Sequence, residues 1–378
     1  MTRAPEGRRF SLAAGLCAAC VLLCAAATSL AGPAPVVLDP NSGCGPALDT
    51  NDAQDCAPPS VAVYAGWSAW SRADSATGDF ELVVRSPTGV ISTPEVPERT
   101  APFDVELGPS GGKVVAVYSR CSNSLTDAGC YIFELRLGAA NATETALAIP
   151  GGGSAHEPAI WDGTLVFLRR NGAGNEDIYD PHGARPDSLL EWRSATHTLT
   201  QLPLPESHGV RNSPSELGWP KGLTGVISGL TLHGSRLAYS TAVGVGDFSL
   251  STLWLQQLGH APRLLDQVIA GAGNVCDPQF LSPTIAGGWL YAYLHDCPAG
   301  GGPISDDRFT RYSLSGARTQ RADYNFIHYI DEQIFSVVPY DDGAIWDSGE
   351  VELLPSLTWK TIARPAPATF CTRRNPFC

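Results

Sequence analysis

An all-β fold, a propeller of six four-stranded antiparallel blades, is what this sequence predicts. Three observations predict it: one hairpin pattern recurs along the chain, its copies are spaced at blade length, and the cysteines form an export-type framework. The hairpin is a short apolar strand, a tight turn holding glycine, then a strongly apolar strand ending near an aromatic residue. It reads VAVYAGWSAW at 61–70, GPSGGKVVAVY at 108–118, PAIWDGTLVF at 158–167, LTLHGSRLAY at 230–239 and PTIAGGWLYA at 283–292. A looser sixth copy is IHYIDEQIFSVV at 327–338, where Asp331-Glu332 takes the place of the glycine turn. Short apolar runs bounded by Gly and Asp turns are the signature of strands and hairpins.

The order of elements follows from these copies. The chain opens with Arg3, Arg8 and Arg9, an apolar run at 12–27, and small residues at Ser29 and Ala31, the pattern of a signal peptide ending at residue 31. Arg8-Arg9 leaves twin-arginine export open. Residues 32–57 are expected to be an N-terminal extension, 58–362 the propeller, and 363–378 a tail rich in Cys and Pro. Within the second blade, YIFELRL at 131–137 and the stretch 145–149 read as its third and fourth strands. Within the fourth, TLWLQQL at 252–258 and 262–265 do the same. Aromatic landmarks close the second strands at Trp70, Tyr118, Phe167, Tyr239, Tyr293 and Phe335. Their spacing is about 40 to 55 residues, apart from a long gap before Tyr239 that holds a polar insertion at 206–223. A repeat of this length fits radial stacking better than an up-and-down sandwich.

Charge and cysteine content narrow the function. The chain carries 25 Lys+Arg against 38 Asp+Glu, and removing the signal leaves a net charge near −15. Such a surface repels phosphate backbones, so nucleic acid is not an expected partner. No run of transmembrane length follows the signal. Eight cysteines remain in the mature chain, as four close pairs without C-x-x-C spacing, which favours disulfides over metal. Cys121 ends a second strand and Cys130 begins a third, so a bond there would staple one loop. Cys276 and Cys297 reach the same end of blade five. Cys44, Cys56, Cys371 and Cys378 either pair locally or cross-link the two termini.

The segment PSGGKVVAVYSR at 109–120, followed by YIFEL at 131–135, resembles the repeat of TolB-type propellers, with Ser110 in place of the aspartate of that repeat's turn. The resemblance implies a six-bladed binding scaffold, often for protein partners in the bacterial envelope, without one shared activity.

Candidate site residues follow from position. Gly108-Pro109-Ser110-Gly111-Gly112 matches G-x-S-x-G, but a nucleophile elbow needs a strand-to-helix turn, and here a strand follows. Ser110 is therefore read as a turn residue. Arg72, Arg120 and Arg169 follow the aromatic landmarks, as does His295, and form part of an expected ring near the channel mouth. Such a ring would bind a carboxylate or an acidic glycan, or would pair with acids such as Asp74, Asp177 or Asp296 between blades. Trp219 and Trp346 lie in loop-like sequence and suit a platform role. Trp67, Trp70, Trp161, Trp254 and Trp289 fall in strands and suit the core. The acidic clusters at 175–180 and 341–347 do not follow a calcium-loop pattern, and no cofactor is expected. Together these readings describe a secreted binding module for an envelope or extracellular protein or polysaccharide, met on the face of the second-to-third-strand loops. The rival is an extracytoplasmic hydrolase or lyase with His295, Asp296, Asp306 and Asp307 at the channel.

Overall fold

A computed structural model describes residues 34–40, 61–74, 76–122, 129–139, 142–170, 187–205, 226–245, 248–270, 279–295, 308–323, 336–347 and 350–362. Strand β1 (Val36–Asp39) comes first, from within the segment expected as an N-terminal extension. Blade one is β2 (Ala62–Tyr64), β3 (Trp67–Ala73), β4 (Phe80–Arg85) and β5 (Ile91–Ser92). Blade two is β6 (Glu106–Ser110), β7 (Lys113–Arg120), β8 (Tyr131–Arg136) and β9 (Thr145–Ala146). Blade three is β10 (Ser154–Trp161), β11 (Thr164–Arg170), β12 (Ser188–Arg193) and β13 (Thr198–Gln201). Blade four is β14 (Val226–His233), β15 (Arg236–Val245), β16 (Phe248–Gln257) and β17 (Arg263–Ala270). Blade five is β18 (Gln279–Ala286), β19 (Trp289–His295), β20 (Arg308–Ser313) and β21 (Thr319–Ala322). Blade six is β22 (Ser336–Tyr340), β23 (Gly343–Asp347) and β24 (Val351–Leu354), completed on its outer edge by β1. The last strand, β25 (Trp359–Ile362), adds a fifth strand outside β21 of blade five.

The first strand of each blade touches the first strand of the next, and β22 returns to β2, so the six sheets close a ring. The core lies between blades. One apolar cluster joins blades one and two through Leu82, Phe103 and Tyr118, and another joins blades six and one through Val61, Trp70 and Ile345. Equivalent clusters fill the other four interfaces. This is why the inner strands read as continuous apolar runs: both faces of each blade are covered, which removes the polar half of an alternating pattern.

The turn before each second strand explains its glycines. In blade two, Gly111 and Gly112 have φ of 54° and 73°, the left-handed values a two-residue hairpin needs at both central positions. The sixth hairpin is not where the sequence reading put it. Residues 324–335, including Asp331, Glu332 and Phe335, lie outside the described residues, and the hairpin is β22–β23 with its turn at Asp341-Asp342. Asp341 takes φ 48°, which a short polar side chain tolerates, so this pair does the work glycine does elsewhere. Its aromatic landmark is Trp346, 1% exposed within β23, and not a loop platform. Burying the whole indole against Val337 and Leu354 closes the interface between blades five and six.

Candidate functional site

In a four-stranded antiparallel blade, the turns joining strands one to two and three to four share one end. The loops joining strands two to three share the other end with the links between blades. Much of that second end, including Asp296, Asp306, Asp307 and the 206–223 insertion with Trp219, lies outside the described residues. So do Cys44, Cys56, Cys276, Cys297, Cys371 and Cys378, and the segments 1–31 and 363–378. What is described there centres on blade two, where Cys121 and Cys130 are disulfide-bonded at a sequence separation of 9.

The base of that stapled loop is firmly anchored. The backbone N–H of Cys130 donates to Ser154 Oγ of blade three at 2.8 Å. Asp104 accepts three bonds of 2.8 Å, from Arg99 Nη1 and from the backbone N–H groups of Ser119 and Glu157. Burial opposes ionisation of Asp104, but the Arg99 guanidinium and these N–H donors outweigh it and hold the carboxyl below its ordinary range. Beside the staple, Tyr131 opens β8 and is 66% exposed.

Each of the recurring arginines is held by partners in its own or a neighbouring blade. Arg72 Nε donates to Asp39 Oδ2 of β1 at 2.8 Å, and the same oxygen accepts the indole N–H of Trp70 at 2.8 Å. Arg120 Nε donates to Glu144 at 2.7 Å, its Nη2 to the Pro97 carbonyl at 2.8 Å, and the Tyr118 hydroxyl also donates to Glu144 at 2.7 Å. Arg169 Nη2 donates to the Pro150 carbonyl at 3.0 Å with its guanidinium over Phe167, and burial lowers its pKa. The partners are thus Asp39, Glu144 and backbone carbonyls; Asp74 instead binds its own loop at the Ala76 N–H. His295 ends β19, half-buried and paired in register with Gln279.

Ser110 is a turn residue. Its hydroxyl donates to Glu134 Oε2 at 3.1 Å, and a Cβ on Gly108 would collide with the Ile160 carbonyl oxygen of blade three. Gly108 is needed because β6 and β10 approach closely there, as the Asp162 N–H to Pro109 carbonyl bond of 2.6 Å also shows, while Gly111 and Gly112 serve the turn.

At the opposite, turn end the inner strands bring together residues that the sequence reading left unremarked or assigned to the core. Trp161 is only half-buried: its ring meets Tyr64 edge-on at 5.6 Å and His233 at 4.0 Å, joining blades one, three and four. Two residues deeper on β14, the Thr231 hydroxyl donates to Glu106 Oε1 of blade two at 3.0 Å. Burial pushes the Glu106 carboxyl up to about 8, outweighing the Thr231 bond, which pulls the other way. Burial, then the nearby Arg236, lowers the His233 pKa. Burial thus favours the neutral forms of both His233 and Glu106. Among the described residues no group of three or more His, Cys, Asp or Glu is placed to hold a metal, and no helix is long and apolar enough to cross a membrane.

Neither a protein-family model nor a curated protein matches the chain. Solved structures do. A TolB-like protein from Agrobacterium tumefaciens matches at 8% identity and TM-score 0.39, over 68% of this chain and 76% of that one. The β-propeller domain of the Pyrococcus furiosus Trilobed protease matches at 7% and 0.41, over 82% and 100%. The acylaminoacyl peptidase of Pyrococcus horikoshii matches at 10% and 0.40, over 80% of this chain and 50% of that one. The likeness in each case is one of fold.

Proposed function

We propose that this protein acts outside the cytoplasm as a binding propeller that meets a protein partner on the face of its second-to-third-strand loops. The observation that carries this reading is the stapled loop of blade two: a disulfide fixes it, Asp104 and Ser154 anchor its base, and Tyr131 stands exposed beside it. An exposed aromatic beside a disulfide suits an interface hot spot, because aromatic side chains dominate such sites and the cross-link limits the entropy that docking costs. The disulfide also suits an oxidising compartment. Cross-linking of the oxidised chain to envelope extract, beside a Tyr131→Ala variant, tests it. The expected result is one identified protein retained by the wild type and lost by the folded variant; equal retention by both would count against this face.

A second reading, a hydrolase or lyase working at the axis, is favoured by one feature, the proton held on Glu106 beside Thr231. Turnover of envelope polymers that survives Glu106→Gln would remove that support.

A further inference from the structure

Arg308, Arg311, Arg318 and Arg321 fall within RFTRYSLSGARTQRA at 308–322, which holds no acid, in a chain where Asp+Glu outnumber Lys+Arg by 38 to 25. Strand pairing sets Arg311 opposite Tyr291 and Gln320. The added strand β25 brings Trp359 opposite Ala322, on the same face of blade five. The Arg311 guanidinium lies 4.2 Å from the ring centroid of Trp359 and 4.6 Å from that of Trp289, and Arg318 lies 5.8 Å from Trp289. The result is a ladder of indole, cation, indole and cation across blade five. Arg311 Nε donates to Gln320 Oε1 at 2.7 Å, and Gln320 in turn donates to Thr361 Oγ1 at 3.2 Å, so the guanidinium plane is fixed.

The two cations differ from the arginines described above. Arg72 and Arg120 are neutralised by Asp39 and Glu144. Arg311 and Arg318 make no ion pair among the described residues, and the neighbouring Asp323 is taken by Lys360 at 2.6 Å. Both indoles and Arg311 are half-buried, and Arg318 is exposed. Arg311, held in plane without an acidic partner among the described residues, offers its remaining N–H groups as a fork that matches a carboxylate, and the exposed Arg318 adds a second cation beside Trp289.

We propose that the Trp359–Arg311–Trp289–Arg318 ladder is a binding site for the carboxylates of an acidic polysaccharide. Each cation here is paired with an apolar ring. A uronic acid is the complementary unit, an anion mounted on a sugar whose C–H face packs on an indole; acidic peptides carry their carboxylates on flexible stems without such a face. Two cations suit a polymer with one charge per sugar, while the acidic chain as a whole repels denser polyanions. The site lies three blades round the ring from the stapled loop and does not depend on the reading of that loop.

The test is titration of the oxidised chain with a short oligogalacturonate, with dextran and dextran sulfate alongside. The wild type is expected to bind the oligogalacturonate and not dextran, and to bind more weakly as salt rises. Arg318→Ala, at an exposed turn, is expected to weaken binding roughly fivefold, and Arg311→Lys, which keeps the charge and loses the planar fork, about tenfold. Unchanged urea midpoints in both variants keep the loss attributable to the site. Failure of the wild type to bind, equal binding of dextran, preference for dextran sulfate, or wild-type affinity in both variants would each overturn the proposal.

Discussion

The contact that closes the ring is open to direct perturbation. Strand β1 is short and belongs to blade six, yet its Asp39 carboxylate, 1% exposed, accepts from Trp70 and Arg72 of blade one. Asp39→Ala strips the acceptor from an indole N–H whose residue is 0% exposed, which costs about 1–3 kcal/mol. The Arg72 side chain is 29% exposed and can return to water, so its share is at most about 1 kcal/mol. The sum, about 1–4 kcal/mol, moves a urea midpoint by roughly 0.3–1.3 M for a slope of about 3 kcal/mol/M. Asp39→Asn retains an acceptor oxygen for Trp70 and should lose about half as much. Because Asp39 joins the first strand to blade one, the alanine variant should also be cleaved by protease near residues 34–40 at concentrations the wild type resists. An Asp39→Ala midpoint within about 0.2 M of wild type, or unchanged cleavage of this strand, would refute the latch.

Three further outcomes follow. Glu106 ionises near 8 in the fold and near its ordinary 4.5 when unfolded, so the folded chain holds the extra proton between those values. Stability should therefore fall as pH rises from about 5 to 8, by up to about 1.4 kcal/mol per pH unit, and Glu106→Gln should flatten that slope; parallel urea midpoints for the two proteins at pH 5, 6.5 and 8 would contradict it. Reducing Cys121–Cys130, whose residues are 9 apart in sequence, should cost about 2–3 kcal/mol, read as the midpoint difference between oxidised protein and a Cys121→Ser/Cys130→Ser variant. Gly108→Ala should prevent soluble folding or cost more than about 3 kcal/mol, because its Cβ meets the Ile160 carbonyl, while Ser110→Ala should change stability by about 1 kcal/mol or less. A large loss from Ser110→Ala with a mild Gly108→Ala would reverse that account of the motif.

The repeated local unit is legible in the sequence. Five of the six hairpins sit where their glycine turns and apolar runs place them, since a two-residue turn and a strand pair draw on neighbours within about a dozen residues. The Cys121–Cys130 bond was legible for the same reason, both cysteines bounding one loop. The sixth hairpin slipped because Asp341-Asp342 does the work of glycine, and because Trp346 reads as loop-like until its burial between blades is known. Tertiary structure alone decided the rest. Nothing local to residues 36–39 says that they complete blade six, or that Asp39 will meet Arg72 across the closure, since blades six and one become neighbours only when the ring forms. Arg72 and Arg311 look alike in sequence; only β1, which brings Asp39 to the first, and β25, which brings Trp359 to the second, decide that one is neutralised and the other held between two indoles.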